Sequence, residues 1–340
     1  MIAGSKIAVA GVGALGGTLA AALARAGHNP LLIARGKRLA NLQNHGLRYV
    51  ADGEAEETHL LPVSSAGAAG PQDVLLLATK SDALPQLLPE LVDCIHPGTI
   101  VIPIVNGIPW WLFADGDQPP IEAIDPGGVL ARLIPQAQII GCVAFLTASL
   151  GDDGVVRSHG ACRMTIGDVD GGCVDGMNNG IQRDRTRQIA CTLSAAGIDT
   201  NSVDAIRPVL WTKIALNLAT NPLSVVAEAT LSQQYAHPGL RHAVIGILSE
   251  VRALAAAFGQ KLAMTDADML AAIERAGDFR TSMLQDFDAG RPLELNAIAR
   301  ACLELADRVG ISMPTATILY HLADWRSGRQ GTGSGQSVYR

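Results

Sequence analysis

The stretch Lys6–Gly27, KIAVAGVGALGGTLAAALARAG, carries no charge between Lys6 and Arg25 and clusters its glycines at Gly11, Gly13, Gly16 and Gly17. Its uncharged length approaches that of a membrane span, and the small residues before Arg25 imitate a signal-peptide cleavage site. Alanine and glycine supply little transfer energy, however, where a span would carry Leu, Ile and Phe. The alternative is a buried strand KIAVAG, a turn GVGALG and a helix closed by Gly27. In that reading Gly11 makes the tight turn, Gly13 admits a pyrophosphate to the backbone, and Gly16 lets helix and strand pack closely. Gly11, Val12, Gly13, Ala14, Leu15 and Gly16 then form the phosphate-binding turn of a dinucleotide site, and the chain is expected in the cytoplasm.

A second apolar run, NPLLIAR, ends at Arg35 and is followed by Gly36, Lys37 and Arg38. An NAD-binding protein would usually place an acid here to hold the ribose hydroxyls. A guanidinium with nearby cations suits a 2′-phosphate instead, which favours NADP(H); the bland reading is a solvated basic loop. Further strands are expected in DVLLLATK from Asp73, TIVIPIVNG from Thr99 and QIIGCVAFL from Gln138, with helical or loop material between them. That alternation implies a mostly parallel sheet, whose ligands sit beyond the carboxyl ends of its strands. Those ends carry Gly11, Arg35, Lys80 and Asn106. Taken singly, Lys80 reads as an ordinary strand-end lysine and Asn106 as a turn residue.

Residues 108–128, IPWWLFADGDQPPIEAIDPGG, read as a lid, as the subunit contact of a homodimer, or as packing filler. Residues 154–169 alternate like an antiparallel hairpin at the sheet edge, and DGGCVDGMNNG after them is rich in turn residues. From about Arg183 the pattern is helical. The expected fold is therefore α/β: a Rossmann-type dinucleotide-binding domain over 1–203, an all-helical domain over 204–326, and a disordered tail over 327–340.

Within the helical half, Lys213, Asn217 and Asn221 recur at i, i+4 and i+8, on one face of an otherwise apolar helix expected to stop near Pro222. A solvated face would carry Glu, Gln, Lys or Arg, because Asn is a poor helix former and costly to bury alone. The three residues thus read as the lining of a polar cleft. In FRTSMLQDFDAGRPLELNAI, Ser282 lies at the start of one helix and Glu294 in the first turn of the next, after Pro292. A carboxylate there is stabilised by the helix dipole whatever its function.

Composition narrows the alternatives. A chain of 340 residues has room for two domains, and a net charge of -6 with 17% charged and 48% hydrophobic residues argues against disorder and against nucleic acid as a partner. The six cysteines form no CxxC pair and the histidines no HExxH, so neither a metal site nor a disulfide scaffold is expected.

Taken together, GVGALG at 11–16, the lysine ending LLLATK, VNG at 105–107, LWTKIALNLATNPL at 210–223, and Ser282 to Glu294 resemble the ketopantoate reductase (2-dehydropantoate 2-reductase) family over most of the chain. The resemblance implies that Lys213 is the general acid and that Glu294 supports catalysis and substrate binding. It implies that Asn106, Asn217, Asn221 and Ser282 bind substrate or cofactor, and that Arg35 and Lys80 contact NADPH. The reaction it implies is NADPH-dependent reduction of a 2-keto acid, ketopantoate to pantoate, toward pantothenate. Two departures bear on the substrate: Phe279 stands where members often carry Asn three residues before the serine, and Trp110 and Trp111 lie in the 108–128 insertion. The other readings are an NAD(P)H-dependent enzyme of another 2-keto or hydroxy acid, and an inactive NADP(H)-binding sensor.

Overall fold

The computed structural model describes residues 4–113, 118–169 and 179–331. They pack as two units: Met1–Val105, Trp110–Pro120 and Asp125–Arg207 form the first, and Asn106–Pro109, Ile121–Ile124 and Pro208–Arg340 the second. In chain order the first unit contains β1 (Ile7–Ala10), α1 (Ala14–Arg25), β2 (Leu31–Ile33), α2 (Gly36–His45), β3 (Leu47–Ala51), β4 (Glu57–His59), β5 (Val63–Ser64) and β6 (Val74–Leu77). It continues through α3 (Leu84–Leu87), β7 (Ile100–Pro103), α4 (Val129–Leu133), β8 (Ile140–Leu150), β9 (Val156–Asp168), α5 (Asn179–Ala195) and β10 (Asp199–Val203).

The opening stretch is a strand, a turn and a helix. All four residues of β1 are buried, and α1 ends with Gly27 N–H on Ala24 O and His28 N–H on Leu23 O, both at 3.0 Å. No helix among the described residues is long and apolar enough to cross a membrane. The lack of charge in this stretch follows from burial. β1 lies at the centre of a parallel sheet ordered β5-β2-β1-β6-β7. Strands covered on both faces read as unbroken apolar runs, which is the pattern of VLLL in β6.

A second sheet departs from the sequence expectation. Its order is β10-β9-β3-β4, with β8 on the other side of β9. Residues 154–169 are one arm of a hairpin rather than a whole one. Their antiparallel partner is β8, paired from Ile140 with Asp168 to Leu150 with Val156, with a register shift between Phe145 and Thr147. The hairpin is also central rather than an edge addition, because β9 pairs in parallel with both β3 and β10. Among the described residues it is joined to the first sheet by the bridge of Val101 with Ile139. The helical reading from Arg183 is interrupted by β10, whose residues complete this sheet.

The second unit is helical: α6 (Arg207–Ala227, its first residue still in the first unit), α7 (Leu231–Ala236), α8 (Pro238–Ala257), α9 (Asp266–Arg275), α10 (Ser282–Asp288), α11 (Ala301–Val309) and α12 (Pro314–Gly331), with a π-helical segment, Asn296–Arg300, leading into α11. Its core includes Val244, Ile247, Leu248, Val251 and Leu254 along α8, each at most 1% exposed. Contrary to expectation, α6 does not stop at Pro222, although proline has no N–H for Leu218 O and crowds that carbonyl. Burial beyond it holds the helix together, with Ser224 and Val225 at 0% exposure. Hydroxyls bridge the main chain on both sides: Thr220 Oγ1 donates to Leu216 O at 2.7 Å and Ser224 Oγ to Asn221 O at 2.6 Å.

The expected tail needs a similar correction. Residues 327–331 continue α12. Just before them, Arg326 Nη1 donates to Val225 O and Val226 O, and its guanidinium lies over the Phe287 ring. The remainder of that tail, and most of the turn-rich DGGCVDGMNNG, lie outside the described residues.

Candidate active site

Gly11 and Gly16 are required by close approach. Gly11 has φ +93°, and a Cβ on it would overlap Thr79 and the Ala78 carbonyl; one on Gly16 would overlap the Gly11 carbonyl oxygen. A Cβ on Gly13 would meet nothing within 4 Å. At the same turn, α1 begins without a side-chain cap and without an acid in its first turn. A turn open at its middle glycine, leading into an uncapped N-terminus of a long helix, fits a pyrophosphate. Val12 is buried, whereas Ala14 and Leu15 are half-buried.

The strands flanking β1 deliver the two cations. Arg35 follows β2 as the exposed N-cap residue of α2, and half-buried Lys80 follows β6. With all five strands parallel, both residues lie beyond the same carboxyl edge as the glycine turn. Arg38 has another role. Its Nε donates to Val12 O at 2.8 Å, and its Nη1 donates to Asn41 Oδ1 at 2.9 Å and to Gly154 O at 2.8 Å. Burial lowers its pKa from the ordinary arginine value. It straps the turn to the β8–β9 loop, so the solvent-facing cations of the RGKR run are Arg35 and Lys37. This strap was not legible in the sequence, because two of its three acceptors, Val12 O and Gly154 O, are main-chain carbonyls.

The two tryptophans of the 108–128 segment are core residues, 5% and 1% exposed for Trp110 and Trp111. Asp125, 1% exposed, caps α4 by accepting from Leu130 N–H at 2.8 Å and Ala131 N–H at 3.1 Å. The described part of this segment therefore contributes residues to the core. Residues 114–117 lie outside the description.

Asn106, expected at a strand end of the sheet domain, belongs to the second unit. There its Nδ2 donates to Glu294 Oε2 at 3.1 Å. Glu294 sits one residue earlier than expected, just before the helical segment that begins at Leu295, and its carbonyl accepts from Ile298 N–H at 3.1 Å. Lys213 and Asn217 are half-buried and Asn221 is 4% exposed, at successive turns of α6. Ser282 is the exposed first residue of α10, and Phe279 is 37% exposed. Sequence reasoning missed Thr281, which holds the start of α10. Its Oγ1 accepts from Leu284 N–H at 3.1 Å and lies 2.7 Å from Ser224 Oγ. A threonine ahead of a short apolar helix was the available signal.

A parallel sheet whose first turn is shaped for a pyrophosphate, followed by a helical unit with a polar face, fits a nicotinamide-dinucleotide-dependent oxidoreductase. Residues 7–171 match the family model described as Ketopantoate reductase PanE/ApbA, and residues 205–326 that of its C-terminal part. The chain belongs to the ketopantoate reductase PanE/ApbA family. A 2-dehydropantoate 2-reductase of Mesorhizobium japonicum is 32% identical over 91% of this chain and 94% of its own. Among solved structures, a Ralstonia solanacearum MolK2 protein assigned to the ketopantoate reductases has TM-score 0.87 and 32% identity, covering 96% of this chain and 99% of its own. D-mandelate dehydrogenase, solved with NADH and anilino(oxo)acetate, shares the fold at TM-score 0.82 and 22% identity, covering 96% and 99%.

Proposed function

We propose that this protein reduces 2-dehydropantoate to pantoate with NADPH, the reductive step toward pantothenate. The observation that carries the reading is the Asn106–Glu294 hydrogen bond, which joins in one unit two polar residues from distant parts of the chain. The names of the relatives support the substrate, and Arg35 after β2, where an NAD enzyme would carry an acid, supports NADPH. When bound, NADPH supplies the hydride; the Gly11–Gly16 turn would hold its pyrophosphate, and Arg35 and Lys80 its remaining phosphate and ribose.

As the carbonyl is reduced, its oxygen gains negative charge, and the Lys213 ammonium donates a proton to it. The same cation stabilises the developing charge, most effectively where water is excluded. Glu294 holds the substrate hydroxyl, and Asn106 orients the Glu294 carboxylate. Asn217 and Asn221 bind the polar groups of the substrate and Ser282 its carboxylate.

The test follows NADPH consumption with 2-dehydropantoate, with NADH and bulkier 2-keto acids in parallel. Turnover is expected with 2-dehydropantoate and NADPH, slower with NADH, and reduced about a hundredfold or more in Lys213→Ala. Near-normal turnover in that variant would remove Lys213 from the mechanism. Activity confined to a bulkier keto acid would replace the substrate, with Phe279 as the first residue to examine.

A further inference from the structure

Immediately after Glu294 the helix leaves the α register. In the π-helical segment Asn296–Arg300, Ala301 N–H bonds to Asn296 O, whereas the α register would give it Ala297 O. The Ala297 carbonyl accepts instead from Ile108 N–H at 2.8 Å. The loop that supplies this N–H comes too near for a side chain. Gly107 has φ +78°, and a Cβ there would overlap the Ala297 carbonyl and lie 2.8 Å from Ile298 N. The residues flanking this contact are the pair described above: Asn106 precedes Gly107, and Glu294 lies one turn before Ile298, whose N–H its carbonyl accepts.

π turns are rare, and they occur mostly as single turns within α-helices, frequently at functional sites. Here the displaced carbonyl anchors the loop one residue beyond Asn106. The anchor is made of main chain on both sides, so it has no side-chain rotamers of its own to lose. It holds Asn106 at the distance from which its amide reaches Glu294.

We propose that Gly107 and the π turn at Asn296–Arg300 form a main-chain clasp that sets the Glu294 carboxylate through Asn106, making Gly107 a positioning residue for the reaction. This rests on the catalytic reading of Glu294 given above. The clasp acts only through Asn106, so its loss and the loss of the Asn106 amide remove the same thing.

The test uses the full chain, comparing Gly107→Ala, Asn106→Ala and the double variant. Gly107→Ala is expected to lower kcat about tenfold to a hundredfold, the scale of misplacing a catalytic group by about an ångström. In the double variant kcat should fall no further than in Asn106→Ala, because the two changes share one path. A second readout is independent of turnover: the Asn106 side-chain amide resonances in asparagine-labelled protein, assigned with Asn106→Ala. They should move in Gly107→Ala as they do in Glu294→Gln. If Gly107→Ala does not fold, an amide-to-ester replacement at Ile108, which puts an oxygen in place of the N–H donor, takes its place in every measurement. Multiplicative losses in kcat, or amide resonances unmoved in the clasp variant, would overturn the proposal. A wild-type protein without reductase activity would instead overturn the reaction assigned above, and the resonances would then decide the clasp alone.

Discussion

Cys302 is 0% exposed, and burial pushes its thiol up to about 12; Cys162 is pushed up to about 11 by the same cause. The thiolate is the reactive form, so raising the pKa removes reactivity at neutral pH as surely as the lack of access does. Cys191 is exposed. With iodoacetamide at neutral pH, peptide mapping should therefore find Cys191 alkylated, and Cys162 and Cys302 unmodified until denaturant is added. Labelling of Cys302 in the folded protein would mean that the α11 core opens. What the sequence disclosed at this scale was residue type and spacing: the glycines of the first turn, and a lysine with two asparagines on one helix face. It could not disclose partners made of main chain. Arg38 reaching Val12 O, Thr281 capping Leu284 N–H and Ile108 reaching Ala297 O all depend on carbonyl and N–H groups, which every residue carries and no pattern marks.

Elements follow their local patterns until tertiary contacts outweigh them. α6 runs through Pro222 because both sides of the proline are buried, and β10 forms in a stretch of weak pattern because β9 offers it an edge. The strands of the first sheet were legible because two-sided burial imposes unbroken apolar runs. β8 and β9 were only half legible, because alternation marks a strand without naming its partner. Helix ends show the same dependence on distant residues. The N-terminus of α12 is capped from α8, where the Glu250 carboxylate accepts from Thr315 N–H at 2.8 Å and Ala316 N–H at 3.0 Å. A carboxylate there satisfies two otherwise unpaired donors and opposes the positive end of the helix. Glu250→Ala should cost about 1 to 2 kcal/mol, the range for losing a cap, read as a lowered midpoint of thermal unfolding. An unchanged midpoint would mean that water replaces the carboxylate at no loss.

At the scale of the whole molecule, the second unit is not one continuous stretch. Asn106–Pro109 and Ile121–Ile124 belong to it although they lie within the N-terminal half of the sequence. Ile108, Ile121 and Ile124 are at most 5% exposed, and the Glu304 carboxylate accepts from Glu122 N–H and Ala123 N–H, both at 2.9 Å. A fragment starting at Pro208 would lack all of these. It should unfold well below the temperature of the intact chain, or aggregate through the uncovered apolar surface, as circular dichroism and light scattering would report. An equally stable fragment would make the two inserted segments dispensable to the helical core. This membership was invisible to a reading that looks for a single boundary, because composition changes near the start of α6 and gives no sign at 106 or 121. It also sets a timetable. A ribosome delivers residues in order at about 5 to 20 per second, so Ile108, Ile121 and Ile124 emerge roughly ten to forty seconds before α11 can cover them. Through that interval each nascent chain carries apolar segments that its finished N-terminal unit does not claim.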